Sequence, residues 1–407
     1  MGKGRIDMSL LEGKCVVLGV TGGIAAYKMA NVASALRKAG AEIHVIMTKN
    51  ATQFITPLTF ETLTGNKCMV DTFDRDFKFE VTHVSLAKKA DLILIAPATA
   101  NVIAKLAHGI ADDMLTTTVL ASRCPKLVAP AMNTAMLENP ITQDNIRTLE
   151  HYGFEIIPPD SGVLACRDVG SGKLPAEGVM MDYIYRHLAH EKDMEGLRVT
   201  VTAGPTQEPL DPVRYLTNHS SGKMGYALAR AAVRRGAQVC LIHGQTALEP
   251  VRFARDLPVV TARQMYEAVT GAFEDTDILI MAAAVADYRP AQVADNKIKK
   301  KDEDLSIPLA RTDDILGSLA PRKTTQFVCG FSMETQDMIE NSRKKLEKKH
   351  LDMIAANNLK VEGAGFGVDT NVLTLITADE TRQLPLMSKD EAADALLDAI
   401  LKEWAGR

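Results

Sequence analysis

Two stretches of the chain repeat one alternation of apolar and polar positions. In "KCVVLGVTGGIAAYKMANVASALRKAGAEIHVIMT", Lys14 to Thr48, an unbroken apolar run gives way to a glycine loop, a stretch of helix-like residues and a second apolar run. The order recurs from "LRVTVTAG" at Leu197 through "GYALARAAVRRGAQVCLIHG", ending at Gly244. Each stretch predicts strand, loop, helix, strand, and the helices close on "RKAGA" and "RRGA", where glycine can take the left-handed conformation that ends a helix. Each half then carries another buried-looking strand after an aspartate: "DLILIAPATAN", with Asp91 76 residues beyond Cys15, and "DILIMAAAVAD", with Asp277 79 residues beyond Arg198. Near-continuous Val/Ile/Leu runs alternating with helices imply parallel sheets covered on both faces. The expected fold is α/β, with two fused doubly wound, Rossmann-like domains and mainly parallel sheets, whose ligands bind beyond the C-terminal strand ends. The boundary falls in the charged segment "HLAHEKDMEGLR", His187 to Arg198, giving domains 1–192 and 193–407.

Composition narrows the function classes. A chain of 407 residues exceeds one ordinary core. Acidic residues outnumber basic ones 51 to 47 and aromatics make up 5%, which gives no basic, base-stacking surface for nucleic acid. The N-terminal "MGKGRIDMSLLEGK" lacks a signal-peptide core, and Ile6 stands where myristoylation of Gly2 would need Ser or Thr. No run of about 18 apolar residues predicts a membrane span. The six cysteines form no C-x-x-C pair, so a disulfide or zinc framework is not expected and a reducing cytoplasm is the simplest setting. Cys15, Cys240 and Cys329 sit in apolar strand-like runs and read as core, whereas Cys166 sits in a Gly/Asp-rich loop.

In the first half, Gly22 and Gly23 stand between strand and helix, where a phosphate cradle and a plain tight turn both fit. The spacing is not G-x-G-x-x-G, which argues against a nicotinamide-dependent oxidoreductase. "TGGIAAYK", "THVSLAKKAD", "PAMN" and "AC-x-D-x-G-x-G" follow in order. With these motifs the half resembles the flavin-containing cysteine decarboxylases. More narrowly, it resembles the N-terminal half of the bacterial bifunctional phosphopantothenoylcysteine decarboxylase/phosphopantothenate–cysteine ligases. The resemblance implies FMN at a subunit interface, with contacts from Gly22, Gly23, Thr48, Thr99 and Asn101. It implies His83 as base or charge stabiliser, Asn133 on the substrate carboxylate, and Cys166 as proton donor to an enethiol intermediate. In such chemistry the flavin oxidises the thiol to a thioaldehyde, CO2 leaves, and the reduced flavin returns the electrons. Read alone, His83 fits a surface position at a helix start and Asn133 a turn. A non-catalytic flavin-binding protein would share the fold, but His83, Asn133 and Cys166 argue for chemistry. Arg167 stands where relatives commonly have Gly, and Lys173-Leu174 where they have Arg-Met.

In the second half, "NHSSGKMG", Asn218 to Gly225, approaches a Walker A loop, yet Thr217 replaces its first glycine and Met224 its Ser/Thr, which disfavours a P-loop NTPase. This block, with "AAAVADYRP", "NKIKKK", "GFSMET" and "RKKLEKKHLDMIAANN", resembles the ligase half of the same family. The resemblance implies that CTP, with Mg2+, converts 4′-phosphopantothenate to an acyl-cytidylate from which cysteine displaces CMP. It places Asn218 on the acyl-cytidylate and Lys297 in the cysteine-dependent step. The CTP set is Met281, Ala282, Ala283, Asp287, Lys297, Asp313, Asp314, Ile315, Leu316, Phe331, Lys345 and Lys349. Lys345 and Lys349 are four apart on an expected helix and share a face, which by charge pattern alone fits a solvated surface. Thr312-Asp313 replaces the relatives' usual Asn-Pro. No dedicated metal cage is legible. Decarboxylase trimers and ligase dimers, together a homo-oligomeric dodecamer, are likewise implied by the resemblance.

Overall fold

The computed structural model describes residues 10–73, 82–163, 169–300, 305–334, 337–358, 365 and 367–406. Cys166 and Arg167 lie outside the described residues. The chain divides into two compact units, Met1–Glu191 and Lys192–Arg407. Among the described residues no helix is long and apolar enough to cross a membrane.

The first unit runs β1 (Cys15–Val20), α1 (Met29–Lys38), β2 (Glu42–Met47), α2 (Pro57–Thr64), α3 (Thr82–Lys89), β3 (Leu92–Ala98), α4 (Ala100–Ala107), α5 (Met114–Ala121), β4 (Lys126–Pro130), α6 (Thr134–Glu138), α7 (Pro140–His151), β5 (Phe154–Ile156), the hairpin β6 (Asp160–Val163) and β7 (Val169–Lys173), and α8 (Glu177–Leu188). Its parallel sheet has the order β2-β1-β3-β4-β5. Every residue of β1 and β3 is buried, as their unbroken apolar runs demand of strands covered on both faces. On one face Val17, Ile46, Ile93, Ile95 and Val128 join Val102, Leu115 and Leu149 from the helices in one core. Strand order reverses between β1 and β3, the switch point at which such sheets open a crevice.

The second unit continues with β8 (Arg198–Ala203), β9 (Gln207–Pro209), β10 (Tyr215–Thr217), α9 (Lys223–Arg234), β11 (Gln238–His243), β12 (Arg255–Pro258), α10 (Ala262–Ala272), β13 (Ile278–Met281), β14 (Tyr288–Pro290), β15 (Leu309–Arg311), α11 (Ile315–Leu319), β16 (Phe327–Glu334), α12 (Met338–Lys348), β17 (Met353–Asn358), β18 (Thr370–Asn371), β19 (Leu373–Ile376), β20 (Thr381–Gln383), β21 (Met387–Ser388) and α13 (Lys389–Ala405). Its main sheet has the order β12-β11-β8-β13-β16-β17-β19-β20. The first six strands are parallel, and β19 and β20 add antiparallel at one edge. β19 is buried throughout, whereas β20 was not legible in the apolar pattern because it is exposed throughout. The switch point lies between β8 and β13.

The two halves share more than order. The Asp91 carboxylate accepts from the Cys15 amide at 2.7 Å, and the Asp277 carboxylate from the Arg198 amide at 2.8 Å. Each aspartate thus satisfies the first amide of its unit's first strand, which explains why it precedes the neighbouring strand in both halves. α9 packs tightly on its sheet because Gly225 lacks a side chain: a Cβ there would stand 2.5 Å from that of Ala203.

Candidate functional site

In the first unit the expected cofactor residues gather at the C-terminal strand ends. Thr21, fully buried beyond β1, donates to the Pro97 carbonyl at 2.5 Å and accepts from the Thr99 amide at 3.1 Å, locking the end of β1 to that of β3. Gly22 meets Asn50, since a Cβ on it would lie 2.4 Å from the Asn50 Cβ. Gly23 faces the crevice: a Cβ built there meets nothing nearer than Thr99 Cγ2 at 3.8 Å. Thr48 follows β2, its amide bonded to Val20 and its hydroxyl accepting from the Ala51 amide at 3.3 Å. Thr99 caps α4 by accepting from the Val102 amide, and Asn101 is exposed in that helix's first turn. The Gly23 backbone, the Thr48 and Thr99 hydroxyls and the N-terminus of α4 stand at the ends of the adjacent strands β1, β2 and β3, and donors of this kind suit a flavin phosphate, so these residues fit FMN.

α3 leads into the start of β3, so its first turn, carrying half-buried His83, lies at the same C-terminal edge. Asn133 follows β4 and caps α6, its side chain accepting from the Ala135 amide at 2.9 Å. The β6–β7 hairpin docks on this turn: the Met132 amide donates to Gly172 at 3.0 Å and the Thr134 hydroxyl to Ser171 at 2.8 Å. The connection between those two strands is the segment that contains Cys166.

Three of the other thiols are held protonated by their surroundings. Burial pushes Cys15 up to about 11 and both Cys68 and Cys329 up to about 12.

In the second unit a cleft of about 460 Å³ opens beside the ends of β13 and β16. Of the expected nucleotide residues, Met281, Ala283, Asp287, Asp313, Asp314, Ile315, Leu316, Phe331, Lys345 and Lys349 line it. Ala282 instead lines a neighbouring cavity of about 150 Å³, built on Ser220–Gly225, Asn357, Asn371 and Lys389. Ala283 and Phe331 are common to both cavities. Lys297 is exposed and lines neither.

Threonines again fix the strand ends. Buried Thr202 accepts from the Ala283 amide at 3.1 Å and buried Thr206 from the Ala286 amide at 3.0 Å. The Asn218 amide donates to the Ala284 carbonyl at 3.0 Å, which holds its side chain over the small cavity's wall. Lys223 donates to Asp369 at 2.7 Å and to the Gly367 carbonyl at 3.0 Å, an ion pair that keeps the Asp369 carboxyl below its ordinary range. Lys389, nearly buried, donates to the Gly365 and Val368 carbonyls, and burial holds its ammonium below the usual lysine range.

Two carboxylates of the large cleft are ion-paired. Lys349 ion-pairs with Asp314, whose carboxylate also caps α11 through the Gly317 amide at 3.0 Å. Burial alone would raise the Asp314 carboxyl, but Lys349 and that amide hold it below its ordinary range. Lys345 donates to the Phe331 carbonyl at 3.1 Å, and Arg263 reaches Asp313 at 3.1 Å. The Thr312 hydroxyl bonds the Ala286 carbonyl at 2.6 Å, tying this departure from the relatives' pattern to the cleft wall.

Sequence reasoning missed Thr21, Thr202, Thr206 and Arg311. Threonine in both "GVTGG" and "VTAGPT" was the available signal for the first three. Arg311, which lines the cleft, directly precedes the Thr312-Asp313 pair.

Comparison with known proteins agrees with this division. Residues 6–189 match the family described as Flavoprotein, and residues 194–403 match the DNA/pantothenate metabolism flavoprotein C-terminal domain. The chain is 47% identical over 395 residues to the coenzyme A biosynthesis bifunctional protein CoaBC of Bacillus subtilis (strain 168), covering 96% of this chain and 97% of that protein. It is 42% identical over 398 residues to the protein of the same name from Escherichia coli (strain K12), covering 97% and 98%. Because these likenesses run through both units and almost the full length of each relative, the chain belongs to the family of coenzyme A biosynthesis bifunctional proteins.

Proposed function

We propose that the second unit joins cysteine to 4′-phosphopantothenate at the expense of CTP, and that the first unit decarboxylates the product to 4′-phosphopantetheine. The observation that carries the ligase reading is the pair of cavities meeting at Ala283 and Phe331, with Asn218 bonded to Ala284 beside them. A carboxylate resists attack by an amine because oxide is a poor leaving group. Transfer of the CMP moiety to the carboxylate, with loss of pyrophosphate, supplies a good one, and the mixed anhydride must span the nucleotide and acyl sites. Asn218, with an amide donor and a carbonyl acceptor, suits the anhydride at that junction. The amine of cysteine then attacks the acyl carbon and CMP leaves, with Lys297 serving this second step.

The large cleft's ionised lining is balanced: Arg311, Lys345 and Lys349 against Asp287, Asp313 and Asp314. A triphosphate therefore brings uncompensated negative charge, which supports the requirement for Mg2+ bound with CTP. The backbone next to Lys297 is anchored at Ile298. The Ile298 amide donates to buried Asp211 at 3.1 Å, and Arg214, itself paired with Asp211, donates to the Ile298 carbonyl at 3.0 Å. These bonds pin the base of the lysine loop to the turn between β9 and β10.

In the first unit Gly22, Gly23, Thr48, Thr99 and Asn101 hold FMN, which when bound supplies a two-electron sink and source. His83 accepts a proton or balances charge at the reacting thiol end. Asn133 orients the carboxylate that leaves as CO2, and Cys166 returns a proton to the enethiol. Exposed Ile24, Tyr27, Phe54 and Leu58 lie near this crevice in the chain and support burial against further copies in a homo-oligomer.

The test supplies CTP, Mg2+, cysteine and 4′-phosphopantothenate and follows CMP, CO2 and products by mass. Absence of a CTP-dependent cysteine adduct sinks the ligase reading. In Lys297→Gln the acyl-cytidylate accumulates, and normal turnover refutes the role of that lysine. In Cys166→Ser the enethiol product accumulates, and a full yield of 4′-phosphopantetheine refutes proton donation by Cys166.

A further inference from the structure

At the end of the first sheet remote from the glycine loop, β1 and β2 present three kinds of metal ligand to one spot. Cys15 is the register partner of Glu42, and Val17 that of His44, so Cys15, Glu42 and His44 share one face of the strand pair. The Cys15 sulfur, a Glu42 carboxylate oxygen and a His44 ring nitrogen lie within 4.8 Å of one another. His44 Nε2 stands 2.9 Å from Glu42 Oε1, and the same oxygen already draws the Lys89 ammonium to 2.5 Å. Cys15 is 4% exposed, whereas the Glu42 side chain is 43% exposed, so the floor of the site is buried and its mouth is open to an ion.

One sulfur, one imidazole nitrogen and one carboxylate oxygen form a mixed set that suits zinc rather than magnesium or calcium. Zinc bonds of about 2.0–2.3 Å in a tetrahedron place ligand atoms roughly 3.3–3.6 Å apart. Zinc binding brings the three atoms, now within 4.8 Å of one another, to that spacing and parts His44 Nε2 from Glu42 Oε1, now 2.9 Å apart. We propose that Cys15, Glu42 and His44 bind a zinc ion that clamps β1 to β2, with water as the fourth ligand. The Cys15 thiol releases its proton to solvent as the Zn–S bond forms, and Lys89 leaves Glu42 for water. The six residues of β1 span about 17 Å, so this ion stands apart from the residues proposed for FMN and enters neither reaction.

The experiment uses the flavin-loaded full chain carrying Cys166→Ser, so that the loop thiol contributes nothing. Zinc is titrated against a competing chelator, and the bound ion is read by X-ray absorption. One zinc per chain is expected, with a single sulfur at about 2.3 Å. His44→Gln should weaken binding at least tenfold, and zinc should raise the melting temperature of the parent but not of this variant. Lys89→Met, a change on a half-exposed side chain that leaves the fold intact, should tighten binding severalfold by removing the competing cation. Equal zinc affinity in the parent, His44→Gln and Lys89→Met overturns the site, as does a parent that binds no zinc.

Discussion

Thr21→Val tests whether the flavin crevice is held by the hydroxyl beyond β1. Valine keeps the shape of threonine but removes the group that donates to Pro97 and accepts from Thr99. Thr21 is 0% exposed and Pro97 is buried, so water does not replace the lost partner at that carbonyl, while the Thr99 amide is half-buried. An unsatisfied buried polar group costs about 1–3 kcal/mol. One such group and one partly relieved one give roughly 2–4 kcal/mol, a large share of the ~5–15 kcal/mol that holds a domain. Thr21→Ser keeps the hydroxyl and removes one methyl, costing about 1 kcal/mol. Denaturant unfolding of the first unit, followed by flavin fluorescence so that the second unit does not contribute, ranks the variants. Because Thr99 and the crevice backbone lose their anchor, FMN affinity falls at least tenfold in Thr21→Val and stays near the parent in Thr21→Ser. Equal stability and equal FMN affinity in the two variants would falsify the anchoring argument.

Further outcomes follow from other contacts. Asp211→Asn weakens the Arg214 and Ile298 contacts behind Lys297, so amide formation slows while CO2 release from supplied phosphopantothenoylcysteine stays at the parent rate; unchanged ligation refutes this. Gly225→Ala drives a Cβ to 2.5 Å from that of Ala203 and 2.8 Å from the Thr202 carbonyl, destabilising the second unit by about 1–3 kcal/mol, as read by denaturant unfolding. The Glu155 carboxyl is pulled up by burial but held below its ordinary range overall by His187 and Arg186. Its folded pKa is therefore the lower one. The stabilisation is present above the unfolded value, near 4.5, and is lost as pH falls through the folded value. Thermal melts of Glu155→Gln should converge on the parent in acid and fall below it at neutral pH.

The fold was legible because buried parallel strands write themselves as unbroken apolar runs, as in Cys15–Val20 and Leu92–Ala98. The edge strand β20 was not, since Thr381–Gln383 lies exposed and carries no apolar alternation. The nucleotide set emerged from resemblance rather than from pattern. Charge spacing alone leaves Lys345 and Lys349 as a solvated face, yet the fold turns both into the cleft, one onto the Phe331 carbonyl and the other onto Asp314. Lys223 in "NHSSGKMG" shows the limit of motif reading: its ammonium is committed to Asp369, a partner 146 residues away that no local pattern reveals. The three locking threonines were hidden for a related reason, because a hydroxyl that bonds the next strand's backbone looks like any strand-end threonine until the strands are paired.

Ligation through an acyl-cytidylate feeds a decarboxylation on the same chain. It is tested most directly with 4′-phosphopantothenate labelled with heavy oxygen in its carboxylate, incubated with CTP, Mg2+ and cysteine and resolved by mass. One heavy oxygen is expected in the phosphate of released CMP and none in pyrophosphate, with 4′-phosphopantetheine keeping the other in its amide carbonyl. CDP with labelled inorganic phosphate, or label absent from CMP, would contradict it.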